Sequence, residues 1–140
     1  MEEKGKILII TDNSSVIRQF AEKMIEFFDN SPLSGSFSIS EMNSEVFSGK
    51  DLLPVSAFFI GCETPQAFTS PYFNDFFKHV NLAGRACGIF SPDKKAIAYM
   101  KRLLKESEAA LGNPFLCENN ITKKNLLNWM KEIIKMAAKK

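Results

Sequence analysis

Apolar residues along this chain fall into runs of two kinds. Lys6-Ile7-Leu8-Ile9-Ile10-Thr11, Ala57-Phe58-Phe59-Ile60-Gly61-Cys62 and Ala86-Cys87-Gly88-Ile89-Phe90 are short and continuous. Such runs suit strands covered on both faces, as in a parallel sheet. Between Ser36 and Met42 the pattern is closer to alternation, which predicts an edge strand with one wetter face. Pro114-Phe115-Leu116-Cys117 supplies a short fifth candidate. The intervening segments carry helical spacing: Ile17, Phe20, Ala21, Met24, Ile25 and Phe28; then Phe73, Phe76, Phe77 and Val80; then Ile97, Met100, Leu103 and Leu104; then Leu126, Leu127, Met130, Ile133 and Ile134. Ser70-Pro71 and Ser91-Pro92 read as helix starts, with serine as cap and proline at the first helical position. The segment from Ser44 to Pro54, with Val46, Phe47, Leu52 and Leu53, reads as either a short crossover helix or a packed loop.

Strands alternating with helices through right-handed crossovers predict an α/β domain, three-layered and doubly wound. Five parallel strands are most commonly ordered 2-1-3-4-5. At 140 residues the chain has the size of one domain, taken as residues 1–140. With 45% hydrophobic and 24% charged residues, its composition is that of a globular protein and excludes collagen-like and disordered classes. No apolar run approaches a membrane span, and the first residues lack a signal-peptide pattern, so a cytoplasmic protein is expected, without a membrane partner. Cys62, Cys87 and Cys117 form neither a CxxC nor a Cys/His ligand pattern, so reduced thiols are expected, with no zinc site and no disulfide framework.

The formal charge of +2 conceals a local asymmetry. From Thr122 to Lys140 there are six lysines against Glu132, net +5, leaving −3 for the remainder. Lysines near a helix C-terminus complement the helix dipole, and no aromatic residues interleave with them as a nucleic-acid platform requires. No nucleic-acid partner is expected.

In a doubly wound sheet, ligands bind at the carboxyl ends of the strands beside the switch point between strands 1 and 3. The loops at issue are Asp12 to Ser15, Glu63 to Ser70, and Ser91 to Asp93. His79 lies near the end of a predicted helix, and without a G-x-S-x-G elbow it does not suggest a hydrolase. Cys62, at the end of strand 3, reads as a small buried hydrophobe rather than a reactive thiol.

The stretch Gly61-Cys-Glu-Thr-Pro-Gln-Ala-Phe-Thr-Ser-Pro71, followed by Phe76-Phe77 and by Asn81-Leu-Ala-Gly84-Arg-Ala-Cys-Gly-Ile-Phe90, resembles the flavodoxin family in its short-chain form. The matching features are strand 3 with its flavin loop, a Phe-Leu-type helix, and the Leu-x-Gly-basic-basic lead into strand 4, of which Arg85 keeps the first basic position. The resemblance spans roughly Lys6 to Met136. It implies a flavodoxin-like fold, flavin mononucleotide as cofactor, electron transfer and a redox partner protein. The residues it assigns to the cofactor are Asn13, Ser14, Ser15, Thr64, Pro65, Gln66, Phe68, Ser91 and Asp93. Phe68 and Tyr72 are the aromatic candidates for ring stacking, because Pro65 stands where the family carries Trp or Tyr.

Several residues depart from the family pattern. The first loop, Asp12-Asn13-Ser14-Ser15-Val16-Ile17, has no glycine, carries Val16 and Ile17 at polar positions of the family, and adds the like charge of Asp12 near a phosphate. Asn13, Ser14 and Ser15 therefore serve either as phosphate ligands or as the cap of the first helix. The alternative to the redox reading is a flavin-free module of the same fold that binds or regulates through its surface. A receiver domain shares the sheet order, but phosphotransfer requires a carboxylate after strand 3 and a lysine after strand 5, where this chain has Gly61 and Glu118.

Overall fold

The computed structural model describes residues 5–68, 71–117 and 121–138. The chain runs β1 (Gly5–Thr11), α1 (Ser15–Asp29), β2 (Phe37–Asn43), β3 (Val55–Gly61), α2 (Pro71–His79), β4 (Ala86–Ser91), α3 (Lys94–Leu104), β5 (Ala110–Leu111), β6 (Phe115–Leu116) and α4 (Lys123–Ala138). All strand pairings are parallel, in the order β2-β1-β3-β4-β5, and β6 also pairs with β4. The expected five-stranded order is present, with its last strand divided in two. β5 pairs at Ala86 and Cys87, and β6 at Phe90 and Ser91. Between them lie Gly112, Asn113 and Pro114, and a proline has no N–H with which to continue a ladder.

Alternation along each buried strand sorts its side chains between two cores. Leu8, Ile10, Phe58, Ile60, Cys87 and Ile89 face α2 and α3, meeting Phe73, Phe77, Ala96 and Met100. Ile7, Ile9, Ala57, Phe59, Ala86 and Phe90 face α1 and α4, meeting Phe20, Met24, Trp129 and Met130. β2 lies at the edge, half-exposed along its length, as its alternating pattern implies.

Gly61 and Gly88 are sites of close packing. A Cβ on Gly61 would lie 2.4 Å from the Phe90 ring, and one on Gly88 would lie 2.7 Å from the Phe59 ring. Where a receiver domain needs its phosphoacceptor carboxylate, this chain has a phenylalanine ring packed onto glycine.

One sequence expectation requires correction, and one open alternative is decided. α3 does not start at Ser91-Pro92. Ser91 is the last, fully buried residue of β4, Pro92 follows it, and Asp93 is the cap, accepting from the Lys95 amide at 2.9 Å. A residue before proline is driven toward extended backbone, which keeps Ser91 in the strand. The Ser44 to Pro54 crossover contains no α-helix. It is a packed loop with a 3-10 turn at Gly49–Leu52, burying Phe47 and Leu52 while Val46 and Leu53 face outward. Arg85 fastens this loop, donating from Nε to the Leu52 carbonyl at 3.2 Å and from Nη2 to the Leu53 carbonyl at 3.1 Å. α2 begins at Pro71 as the spacing predicts, while its proposed cap Ser70 lies outside the described residues.

Candidate functional site

The carboxyl ends of β1, β3 and β4 bring the three ligand loops to one edge of the sheet. Asp12 follows β1, and its carboxylate is 2% exposed. Oδ1 accepts from the Ser14 amide at 3.0 Å and from the Ser14 hydroxyl at 2.7 Å, while Oδ2 accepts from the Glu63 amide at 2.8 Å. One side chain thus closes an Asx turn at the start of α1 and ties that turn to the loop after β3. The Ser14 hydroxyl in turn accepts from the Ile17 amide at 3.2 Å, which makes it the cap of α1.

Further polar links close the crevice on the β2 side. The Thr11 hydroxyl donates to Glu41 at 3.0 Å, the Ser44 amide donates to the Thr11 carbonyl at 2.8 Å, and the Asn43 side-chain amide donates to Asn13 Oδ1. At the far end of the second loop, the Tyr99 hydroxyl donates to Asn74 Oδ1 at 2.6 Å, and Asn74 Nδ2 donates to the Phe68 carbonyl at 2.9 Å. Asn74 thereby holds the loop between α2 and α3.

The acidic groups have a chemical consequence for Cys62, which is fully buried at the end of β3. Burial, followed by the charges of Asp12 and Asp93, pushes its thiol up to about 12. Burial alone takes Cys117 to about 12 and raises Cys87. A thiol that stays protonated at neutral pH is a poor nucleophile and a poor metal ligand. The phenol of Tyr99 is also raised, first by burial and then by Cys62. Among the described residues no group of three His, Cys, Asp or Glu side chains is arranged to hold a metal ion. His79 meets Asp75 at 3.4 Å on an exposed face of α2, away from any nucleophile–base arrangement.

The residues assigned to a cofactor divide into three groups. Asn13, Ser14 and Ser15 gather at the N-terminus of α1, and Thr64, Pro65 and Gln66 form the tip of the second loop, where Thr64 and Gln66 are exposed. Asp93 stands nearby as the cap of α3. Phe68 and Ser91 are buried. Phe68 is 4% exposed and packs on Phe73 with ring centroids 4.6 Å apart, so its ring belongs to the core and presents no face for stacking. Ser91 is enclosed within β4, and its hydroxyl accepts from the Asp93 amide at 3.1 Å. Tyr72 is half exposed, but its hydroxyl accepts from the Gly49 amide at 2.7 Å and its ring lies beside Phe76.

At this edge several of the polar donors are already engaged within the protein. The Ser14 and Glu63 amides donate to Asp12. A cavity of about 240 Å³ lies on the α1 side of the edge, lined by Val16, Gln19, Phe20, Pro92 and Cys117 among others. The sequence reading missed Asp12 as the tie between loops, together with Asn43 and Asn74. The signal for Asp12 was an Asx residue two positions before a helix-capping serine.

No protein-family profile and no curated protein sequence matches this chain. Solved structures do match in shape. A short-chain flavodoxin associated with a non-canonical PDU bacterial microcompartment superposes with a TM-score of 0.74 at 12% identity, over 96% of this chain and 99% of that one. Oxidised flavodoxin 2 from Bacillus cereus gives 0.65 at 19% identity, over 97% and 100%. An apo NADH:FMN oxidoreductase gives 0.60 at 11% identity, over 94% and 89%. The class is therefore an α/β protein with a flavodoxin-like fold, sheet order 2-1-3-4-5. None of its helices is long and apolar enough to cross a membrane, among the described residues.

Proposed function

We propose that this chain is a flavodoxin-fold binding module that works without flavin mononucleotide. The observation that carries this reading is the buried Asp12 carboxylate, which accepts from Ser14 twice and from Glu63 once and so stands between the first two ligand loops. A phosphate about 4 Å from that charge would be repelled by about 4 kcal/mol at an effective dielectric near 20. A helix N-terminus returns only about 0.3 to 2 kcal/mol.

A second reading keeps the flavin, bound weakly, with electron transfer to a redox partner protein. It is favoured by the amides of Ser15 and Val16, which have no hydrogen-bond partner among the described residues at the N-terminus of α1. On that reading Asn13, Ser14 and Ser15 surround the phosphate, and the ring lies between Thr64 to Phe68 and Ser91 to Asp93.

The visible spectrum of freshly purified protein, followed by calorimetric titration with flavin mononucleotide and with riboflavin, separates the two. No flavin absorbance and no heat from either ligand supports the flavin-free module. Micromolar binding of the mononucleotide, well above that of riboflavin, overturns it.

A further inference from the structure

The divided fifth strand lies between two basic helices. Residues 94–105 carry Lys94, Lys95, Lys101, Arg102 and Lys105 with no acidic residue, and α4 carries Lys123, Lys124, Lys131 and Lys135 against Glu132. These nine cations are exposed. Among the described residues the one ion pair is His79 with Asp75, so none of these cations is paired with a described carboxylate. α3 covers one face of the sheet and α4 the other. The free edge of the sheet therefore emerges between two positive flanks.

The edge itself is apolar and indented. A groove of about 340 Å³ is lined by Lys94, Ile97, Ala98, Lys101, Pro114 and Leu116. Across Lys101 and Pro114 it adjoins a second hollow of about 640 Å³ that reaches Gly112 and Glu132. Apolar walls with lysines at the rim suit an extended segment that places a large aliphatic or aromatic side chain inside and carboxylates outside. Nucleic acid fits less well, because no aromatic ring on these exposed faces offers a surface for a base.

We propose that the β5–β6 edge is a docking groove for an extended acidic segment of a partner protein, anchored by an apolar side chain between α3 and Pro114 and steered by Lys94 and Lys101. The groove does not depend on whether flavin binds. Its lining shares no residue with the loops at Asp12 and Thr64.

The test is a titration of the 15N-labelled protein, followed by amide chemical shifts, with a peptide of about eight residues alternating Leu and Glu. A Leu/Lys peptide of equal length and a uridine oligonucleotide are the controls. Shifts are expected within residues 94–101 and 110–117, fading as salt is raised. Lys94→Glu with Lys101→Glu, both at exposed positions, should weaken binding by about tenfold. Ala98→Trp, which fills the groove without changing its charge, should weaken it as well. Equal response to both peptides, shifts confined elsewhere, or preferential binding of the oligonucleotide would each overturn the proposal. Flavin titration under the same conditions reports on residues 12–16 instead, so the two outcomes are read separately.

Discussion

The switch-point crevice and the fifth-strand edge are both places where an α/β sheet runs out of neighbours, and this chain treats them in opposite ways. At the crevice, Asp12, Asn13, Ser14, Asn43 and Glu63 use their polar groups on one another. At the edge, lysines with no ion-pair partner among the described residues stand beside an apolar hollow. Buried donors and acceptors that are already paired have little left for a ligand, whereas unpaired charge over apolar surface retains binding capacity. The loops at a sheet's switch point can thus be tied together by a few short side chains while another part of the surface keeps its charges unpaired.

The contrast is broken most directly at Asp12. Asp12→Ala leaves two amides and a hydroxyl without their acceptor, and the expected loss is about 3 kcal/mol, since unpaired buried polar groups cost about 1 to 3 kcal/mol each and water reaches some of them. Urea unfolding should show it, with Asp12→Asn retaining part of the loss as stability. An unchanged midpoint would mean that the crevice is not held by this carboxylate. Asp12→Ser is the matching ligand test: tighter binding of flavin mononucleotide would show that the Asp12 carboxylate opposes it.

Gly61→Ala addresses the same crevice from beneath. The added methyl meets the Phe90 ring, and overpacking of this kind costs about 1 to 3 kcal/mol. Thermal denaturation compared with Gly35→Ala, where a Cβ meets nothing within 4 Å, isolates the packing effect.

The thiols give a prediction in pH. Folded Cys62 and Cys117 hold their protons to about 12, whereas an unfolded thiol releases its proton near the ordinary value of 9.0. Unfolding therefore releases protons between these values. The contribution of the two thiols to stability is fully present below pH 9 and is lost as pH rises toward 12. Denaturant midpoints across pH 8 to 11 should fall only above about 9, and alkylation at pH 8 should be slow until the chain is unfolded. Rapid native alkylation of Cys62 would show that the crevice opens.

The smallest expected effect lies at the edge. Trp129 Nε1 donates to the Asn113 carbonyl at 2.6 Å, holding the break between β5 and β6 against α4. Trp129→Phe keeps most of the ring contact with Phe59 and Phe115 but removes this bond, at about 1 kcal/mol. Faster amide exchange confined to residues 110–117 is the expected signature.

The sequence made the layers legible because their signals are local. The runs at Ile7 to Ile10 and Phe58 to Ile60 show strands covered on both faces, and Phe20, Met24 and Phe28 show a helix packed on them. Ser91 and Asp93 were harder, because serine, proline and aspartate in succession offer two caps, and only the strand register decides between them. The division of the last strand was not legible, since Ala110 and Leu111 are too short a pair to carry a period. The site was legible in place, and less so in chemistry. Asp12 read as a charge opposed to phosphate, but the Ser14 and Glu63 donors that define its role come from 2 and 51 residues away. Phe68 looked available for stacking because no pattern in its own loop reveals its packing against Phe73 and Tyr99.

Pro114 and the two short rungs that flank it also bear on self-association. A long unbroken edge strand is a template on which copies of a chain polymerise, backbone to backbone, whatever their side chains. Here the outer strand offers two residues, an interruption that ends in a proline without an amide hydrogen, and two residues more. Like-charged helices on both sides repel a second copy that approaches with the same edge. At this border of the sheet the molecule is thus guarded against fibril growth, and a visitor must be admitted on charge and shape instead of on the hydrogen bonds that any polypeptide could supply.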